Sequence, residues 1–288
     1  MKHIMLLALA GFLVASRAWG AQASYSFQVK VVGHGKPVIL IPGLTCTGDV
    51  WDGTVAQLSD HYQCHVLTLP GFGKQPPISG PYLSHVRDDI LAYVRDRKLD
   101  HPAVIGHSLG GFMVYYLAEA DPGLWGPMVA VDGLPFLTLV FMPTATADSS
   151  KPIAEGLAKQ MLSASPDQFK ARIRSSLVSQ ITDPKNVEAM YAFSKDSDQN
   201  DVSEAMKEML VTDLRPDLGR IRSRFLLIGA GQQATNESAR AALTKTYRSE
   251  IQGLPNAQLQ MDWKARHFIM LDDPATFYST VKEFLAKG

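Results

Sequence analysis

Short apolar runs, each closing on a turn residue, recur along this chain with amphipathic stretches between them. Six are nearly unbroken: KPVILIPG (36–43), CHVLTLPGFG (64–73), HPAVIGHS (101–108), MVAVDG (128–133), RFLLIGAG (224–231) and AQLQMDW (257–263). A strand that is apolar on both faces belongs in a sheet covered on both sides, so these runs predict a mostly parallel sheet. SYSFQVKVVG (24–33) alternates instead, with Tyr25, Phe27, Val29 and Val31 on one face, as expected of an edge strand. LSHVRDDILAYVRDRKL, GGFMVYYLAEAD and the closing DDPATFYSTVKEFLAKG have helical spacing. In the last, Asp273 is placed as N-cap and Pro274 as the first helical residue. The alternation predicts an α/β fold, with helices on both faces of a mostly parallel central sheet.

Residues 135–218 break this rhythm, with helical segments rich in Met, Ala and Lys and no convincing strand. No Gly/Ser/Pro linker brackets them, and the same alternation resumes afterwards, so they read as an inserted helical lid. The core is then 24–134 together with 219–288.

Composition adds bounds. The 288 residues are 46% hydrophobic and 19% charged, ample apolar material for a large core. Lys2, the apolar run 4–14 and the small residues Ala18 and Gly20 predict a signal peptide over 1–20, cut after Gly20 or after Ala23. An exported protein, periplasmic or extracellular, is the consequence. An uncleaved anchor is the alternative, but the run is shorter than the roughly 20 residues a bilayer needs, and no stable span is expected in the mature form. Without its first 20 residues the chain carries 26 basic and 28 acidic side chains, which gives no electrostatic case for nucleic acid. Cys46 follows one predicted strand and Cys64 begins the next, which sets them about 15 Å or more apart at ~3.3 Å per residue. A disulfide needs Cα atoms within about 7 Å, so two free thiols are expected.

The chemistry centres on GHSLG (106–110). As a bare pattern it is weak. Here an apolar strand feeds into it and an amphipathic helix leaves it, the setting of a sharp turn that lifts Ser108 clear of the sheet at a helix N-terminus. With this motif the chain resembles the α/β-hydrolase superfamily, its lid-bearing esterase and lipase-like branch in particular. The resemblance extends over ILIPGLTCTGDVW, LTLPGFG, GHSLGG, DLRPDLGRIRSRFLLIG and RHFIMLDDP. It implies an α/β-hydrolase fold with Ser108 as nucleophile. The oxyanion would be held by the backbone N–H of Leu109 and, from the loop after IPG, that of Leu44. Trp51 reads as a packing residue.

A serine nucleophile needs a base. His107 adjoins it on a sharp turn and points elsewhere, His3 lies in the signal, and His34, His61, His65, His85 and His101 fall in turns, strand entries or a polar helix face. His267 follows the last strand, and HFIMLDDP resembles the family's catalytic-histidine loop. The imidazole in turn needs a carboxylate. In such enzymes it usually lies a few residues past the strand at 224–231, where this chain has Gln232 and Gln233. An amide serves badly: the aspartate-to-asparagine change in a serine protease lowers kcat about 10⁴-fold. Asp132, at the carboxyl edge of the strand after the nucleophile's helix, is the expected acid. Haloalkane dehalogenases and some other branches carry theirs there. Glu237 is the reserve, although the first turn of a helix already explains it.

These residues imply a serine hydrolase cleaving carboxylic esters on a Ser-His-Asp triad, acting on a small ester with an apolar part and requiring neither metal nor organic cofactor. A serine nucleophile argues against epoxide hydrolase or dehalogenase chemistry, which uses aspartate on this fold. Residues 136–143 with Met161, Met190, Met206 and Met209 would line an apolar pocket, or simply pack the lid. A lactonase or amidase with the same triad, or a non-catalytic ligand-binding member of the fold, remains open at this point.

Overall fold

Seven strands form one sheet in the order β1-β3-β2-β4-β5-β6-β7: β1 Gln28–Val32, β2 Lys36–Ile41, β3 Tyr62–Thr68, β4 Ala103–His107, β5 Met128–Val131, β6 Phe225–Ala230 and β7 Ala257–Asp262. The structure is a computed structural model that describes residues 25–140, 142 and 144–287; the signal peptide expected over 1–20 lies outside them. β1 pairs antiparallel with β3, and every other pairing is parallel. Three of the runs that predicted buried strands are buried throughout, β4, β5 and β6, whereas β7 forms the far edge of the sheet and is mostly half-buried. β1 is the edge strand its alternation predicted, though only part of its apolar face is covered, since Val31 stays 50% exposed.

Helices α1 (Asp52–Leu58), α2 (Tyr82–Asp96) and α3 (Leu109–Ala120) alternate with the first strands. Between β5 and β6 come four helices, α4 (Ala147–Leu162), α5 (Pro166–Gln180), α6 (Pro184–Ser194) and α7 (Gln199–Val211). Their starts are chemically marked. Ser165 and Gln168 form a capping box before Pro166, and the side chains of Asp183 and Asp198 accept from backbone amides of the first turns of α6 and α7. After β6 the chain forms α8 (Glu237–Glu250), then β7, the short α9 (Ile269–Asp272) and α10 (Pro274–Ala286). Asp273 caps α10 through Thr276 N, ahead of Pro274.

Trp51 is fully buried and stacks on Phe277, the packing role expected of it. Cys46 and Cys64 are buried free thiols, and burial pushes Cys46 up to about 12 and Cys64 up to about 11. Among the described residues no helix is long and apolar enough to cross a membrane.

Candidate active site

The parallel strands deliver their following residues to one edge of the sheet, where ligands gather in open α/β sheets. Ser108 follows β4, and Asp132 follows β5 directly beside it, with Ser108 N donating to Val131 O at 2.9 Å. Ser108 has φ 55° and ψ −115°, a backbone conformation uncommon for a non-glycine residue. The turn closes because Gly106 has no side chain: a Cβ there would lie 2.0 Å from Gly110 O. Ser108 thus sits at the N-terminus of α3, where backbone N–H groups favour negative charge.

Leu109 opens α3, while Leu44 lies on the loop after β2. That loop approaches the serine closely, since a Cβ on Gly43 would lie 3.2 Å from Ser108 Cβ. Both leucines line the cavity that Ser108 faces.

His267 reaches the same cavity from the loop between β7 and α9, and its Nδ1 donates to Asp132 Oδ2 at 2.6 Å. Asp132 is held in the left-handed region, φ 47°, and its other oxygen accepts from Ala230 N at 2.8 Å and Tyr247 Oη at 2.6 Å. Burial alone would raise this carboxyl. The hydrogen bond and charge of His267, followed by the Ala230 N–H and the Tyr247 O–H, outweigh burial and hold it below its ordinary value. An ionised carboxylate only accepts, so Nδ1 carries the imidazole proton and Nε2 is left as a base. Among the described residues no hydrogen bond joins Ser108 Oγ to His267, a pair that commonly tightens only around substrate.

Two supports had no signal in the sequence. Tyr247, on the inner face of α8, is marked by no motif. His107 is fully buried behind the serine, and its Nε2 donates to the carbonyl of His267 at 3.0 Å. Burial, with the neighbouring His267 charge, pushes His107 down to about 3, so it stays a neutral strut for the loop. Glu237, the reserve acid, is exposed at the first position of α8 and does not line the cavity. Gln232 faces the histidine loop and accepts from Arg266 Nε at 2.7 Å.

The cavity has a volume of about 520 Å³. Its walls are largely apolar, from Leu134 and Leu137 after β5, Met161 on α4, Ile173 on α5 and Met206 and Met209 on α7. Met190 does not belong to this wall: α6 turns it into the core, where it is buried.

Comparison with known proteins follows the geometry. A family model described as "Alpha/beta hydrolase family" matches residues 38–280. The chain is 25% identical over 270 residues to a pimeloyl-[acyl-carrier protein] methyl ester esterase of Nitrosomonas europaea, covering 88% of this chain and 97% of that protein. It is 32% identical over 115 residues to the esterase of the same name from Aeromonas salmonicida, a match spanning 38% of this chain and 42% of that protein. An enol-lactonase from Burkholderia xenovorans superposes with a TM-score of 0.72 at 18% identity, over 90% of this chain and 96% of that one, a likeness of fold.

These relatives correct the expectation of export. Their names describe esterases of a pimeloyl-[acyl-carrier protein] methyl ester. They point to the cytoplasm rather than to the periplasm or the exterior.

Proposed function

The chain belongs to the alpha/beta hydrolase family, and from that premise we propose that it hydrolyses carboxylic esters with Ser108 as nucleophile, His267 as general base and Asp132 as the orienting acid. One observation carries the reading. Asp132 Oδ2 takes the hydrogen bond of His267 Nδ1 at 2.6 Å, and His267 and Ser108 line the same cavity.

In this mechanism Ser108 Oγ attacks the ester carbonyl and passes its proton to His267 Nε2. The imidazolium is stabilised by the Asp132 carboxylate, which stays ionised. Charge on the tetrahedral oxygen is met by the backbone N–H groups of Leu44 and Leu109. Collapse breaks the bond to the alcohol oxygen, which leaves with the proton from His267. A water then gives a proton to His267 as it attacks the acyl-enzyme, and collapse breaks the acyl bond to Ser108 Oγ, which takes that proton back as the acid is released.

The helical segment at 135–218 serves in this reading as a lid, with α4, α5 and α7 supplying the acyl pocket. Relatives named for a pimeloyl methyl ester, together with an apolar cavity of about 520 Å³, favour an ester of a small alcohol with a mainly apolar acyl chain. The test is hydrolysis of methyl esters and p-nitrophenyl esters of increasing acyl length by wild type and Ser108→Ala. Turnover that depends on Ser108 is the expected result, and its absence on every ester would sink the proposal.

A further inference from the structure

Gln232 stands a short way past β6, where chains resembling this one usually carry their acid, and its side chain is engaged elsewhere. Its Oε1 accepts from Arg266 Nε at 2.7 Å, and its Nε2 donates to Lys264 O at 3.0 Å and Thr182 Oγ1 at 3.2 Å. Gln232 N also donates to Ala265 O at 3.1 Å, so this one residue holds three consecutive residues leading to His267.

Those residues are fastened in turn to the end of α5. Arg266 Nη1 donates to Val178 O at 3.3 Å and Ile181 O at 3.4 Å, carbonyls at the C-terminus of α5, where a cation is favoured. On the other side of the histidine, Phe268 N donates to Gln180 O at 3.3 Å. Asp272 completes the connection: its carboxylate accepts from Arg266 N at 2.9 Å, Thr182 N at 2.9 Å and Thr182 Oγ1 at 2.8 Å. Both sequence neighbours of His267 are therefore bonded to the last carbonyls of the helix whose Phe169, Ile173, Leu177 and Gln180 line the cavity.

We propose that Gln232, Arg266 and Asp272 are positioning residues that clamp the His267 loop to the C-terminus of α5, so that His267 is aligned for catalysis only while α5 is seated over the cavity. The inference rests on the esterase reading for its kinetic consequence and on the hydrogen bonds alone for its mechanical one. The helix whose apolar face encloses substrate and the base that acts on it then move as one body. A substrate filling the pocket holds the helix down and the imidazole in register, which turns acyl-chain binding into alignment of the reacting groups.

The test has a kinetic and a mechanical arm. In p-nitrophenyl butyrate hydrolysis, Arg266→Met and Gln232→Leu each lower kcat about 10- to 100-fold with KM within about threefold, the scale of a misaligned catalytic group. The double variant falls no further than the worse single one, because the pair acts as a unit. Gln232→Glu, which keeps an acceptor for Arg266, restores most of the kcat lost in Gln232→Leu. It does not rescue Asp132→Asn, because this side chain faces Arg266 and not His267. In the mechanical arm, amide hydrogen exchange of Arg266→Met quickens together in 178–183 and 264–272, with β4 and β5 unchanged. Unaltered kcat in folded variants, a loss confined to KM, rescue of Asp132→Asn by Gln232→Glu, or quickened exchange in one segment alone would overturn the clamp. Should Arg266→Met not fold, Gln232→Leu carries both arms. If wild type shows no turnover dependent on Ser108, the esterase reading fails, and the exchange arm still decides whether loop and helix are one body.

Discussion

Tyr247 Oη donates to Asp132 Oδ1 at 2.6 Å, on the oxygen that His267 leaves free. It is one of three donors that keep a buried carboxyl ionised, with Ala230 N and His267 Nδ1. Tyr247→Phe removes that donor and keeps the ring. Asp132 then rises toward the value burial favours, so the acid limb of the pH profile of kcat/KM moves to higher pH. At neutral pH kcat falls about tenfold, ~1.4 kcal/mol, close to the lower end of the roughly 1.5–3 kcal/mol of a hydrogen bond to a charged group. The sign for stability follows from linkage. A carboxyl lowered by folding stabilises above its unfolded value of about 3.9, and that contribution is lost as pH falls through the folded value. The acid-unfolding midpoint of Tyr247→Phe is therefore higher than that of wild type. An unmoved acid limb would contradict the assignment.

Asp132→Asn against Glu237→Gln separates the two carboxylates considered for the histidine. Asparagine is among the few residues that tolerate the left-handed backbone of position 132, φ 47°, so the fold survives and the charge alone is removed. The kcat of Asp132→Asn falls about 10³- to 10⁴-fold, as the imidazole loses its tautomer and its counter-charge. Glu237→Gln, altered on the exposed start of α8, stays at the wild-type rate. Equal activity of Asp132→Asn and wild type would remove Asp132 from the mechanism.

The inner strands were legible because burial on both faces leaves an apolar run, and Ser108 and His267 because each follows a strand at the same edge of the sheet. Asp132 was legible from its place at the same sheet edge and from the resemblance to branches that carry their acid there, with the amides at 232 and 233 tipping the balance. What the sequence concealed lies in contacts between distant segments. Tyr247 is 115 residues from the carboxylate it supports, and Arg266 reaches Val178 across 88. No periodicity records that α8 turns Tyr247 toward Asp132, or which helix end receives a guanidinium. Met190 shows the same limit. Its spacing resembles that of Met206 and Met209, and only the packing of α6 sends it to the core instead of the cavity.

Glu250 makes stability depend on pH in the less common direction. Its side chain is fully buried, and the Arg215 guanidinium lies 4.0 Å away. Burial pushes it up to about 7, as it pushes Glu119 up to about 8. A carboxyl raised by folding stabilises fully below its unfolded value, about 4.3, and loses that contribution as pH rises through the folded value. Glu250→Gln mimics the protonated form, so its Tm advantage over wild type grows as pH rises from about 4 to 8.5, by roughly several degrees. Equal Tm differences at the two pH values would mean that Glu250 titrates in the fold as it does in the open chain.

The acyl pocket predicts a change in chain-length preference. Met206 on α7 lines the cavity, and Met206→Trp fills apolar volume there without adding charge. Each methylene of substrate that it displaces costs about 0.8 kcal/mol of apolar burial, about fourfold in kcat/KM. The octanoate-to-butyrate ratio therefore falls steeply in this variant, while activity on acetate is retained. Met190→Ala supplies the contrast. It loses stability by about 2–5 kcal/mol, as large-to-small core changes do, and leaves the ratio at its wild-type value because Met190 is buried away from the cavity. If Met206→Trp preserved the ratio and Met190→Ala altered it, the acyl chain would run under α6 and not between α5 and α7, and the cavity facing Ser108 would hold only the alcohol.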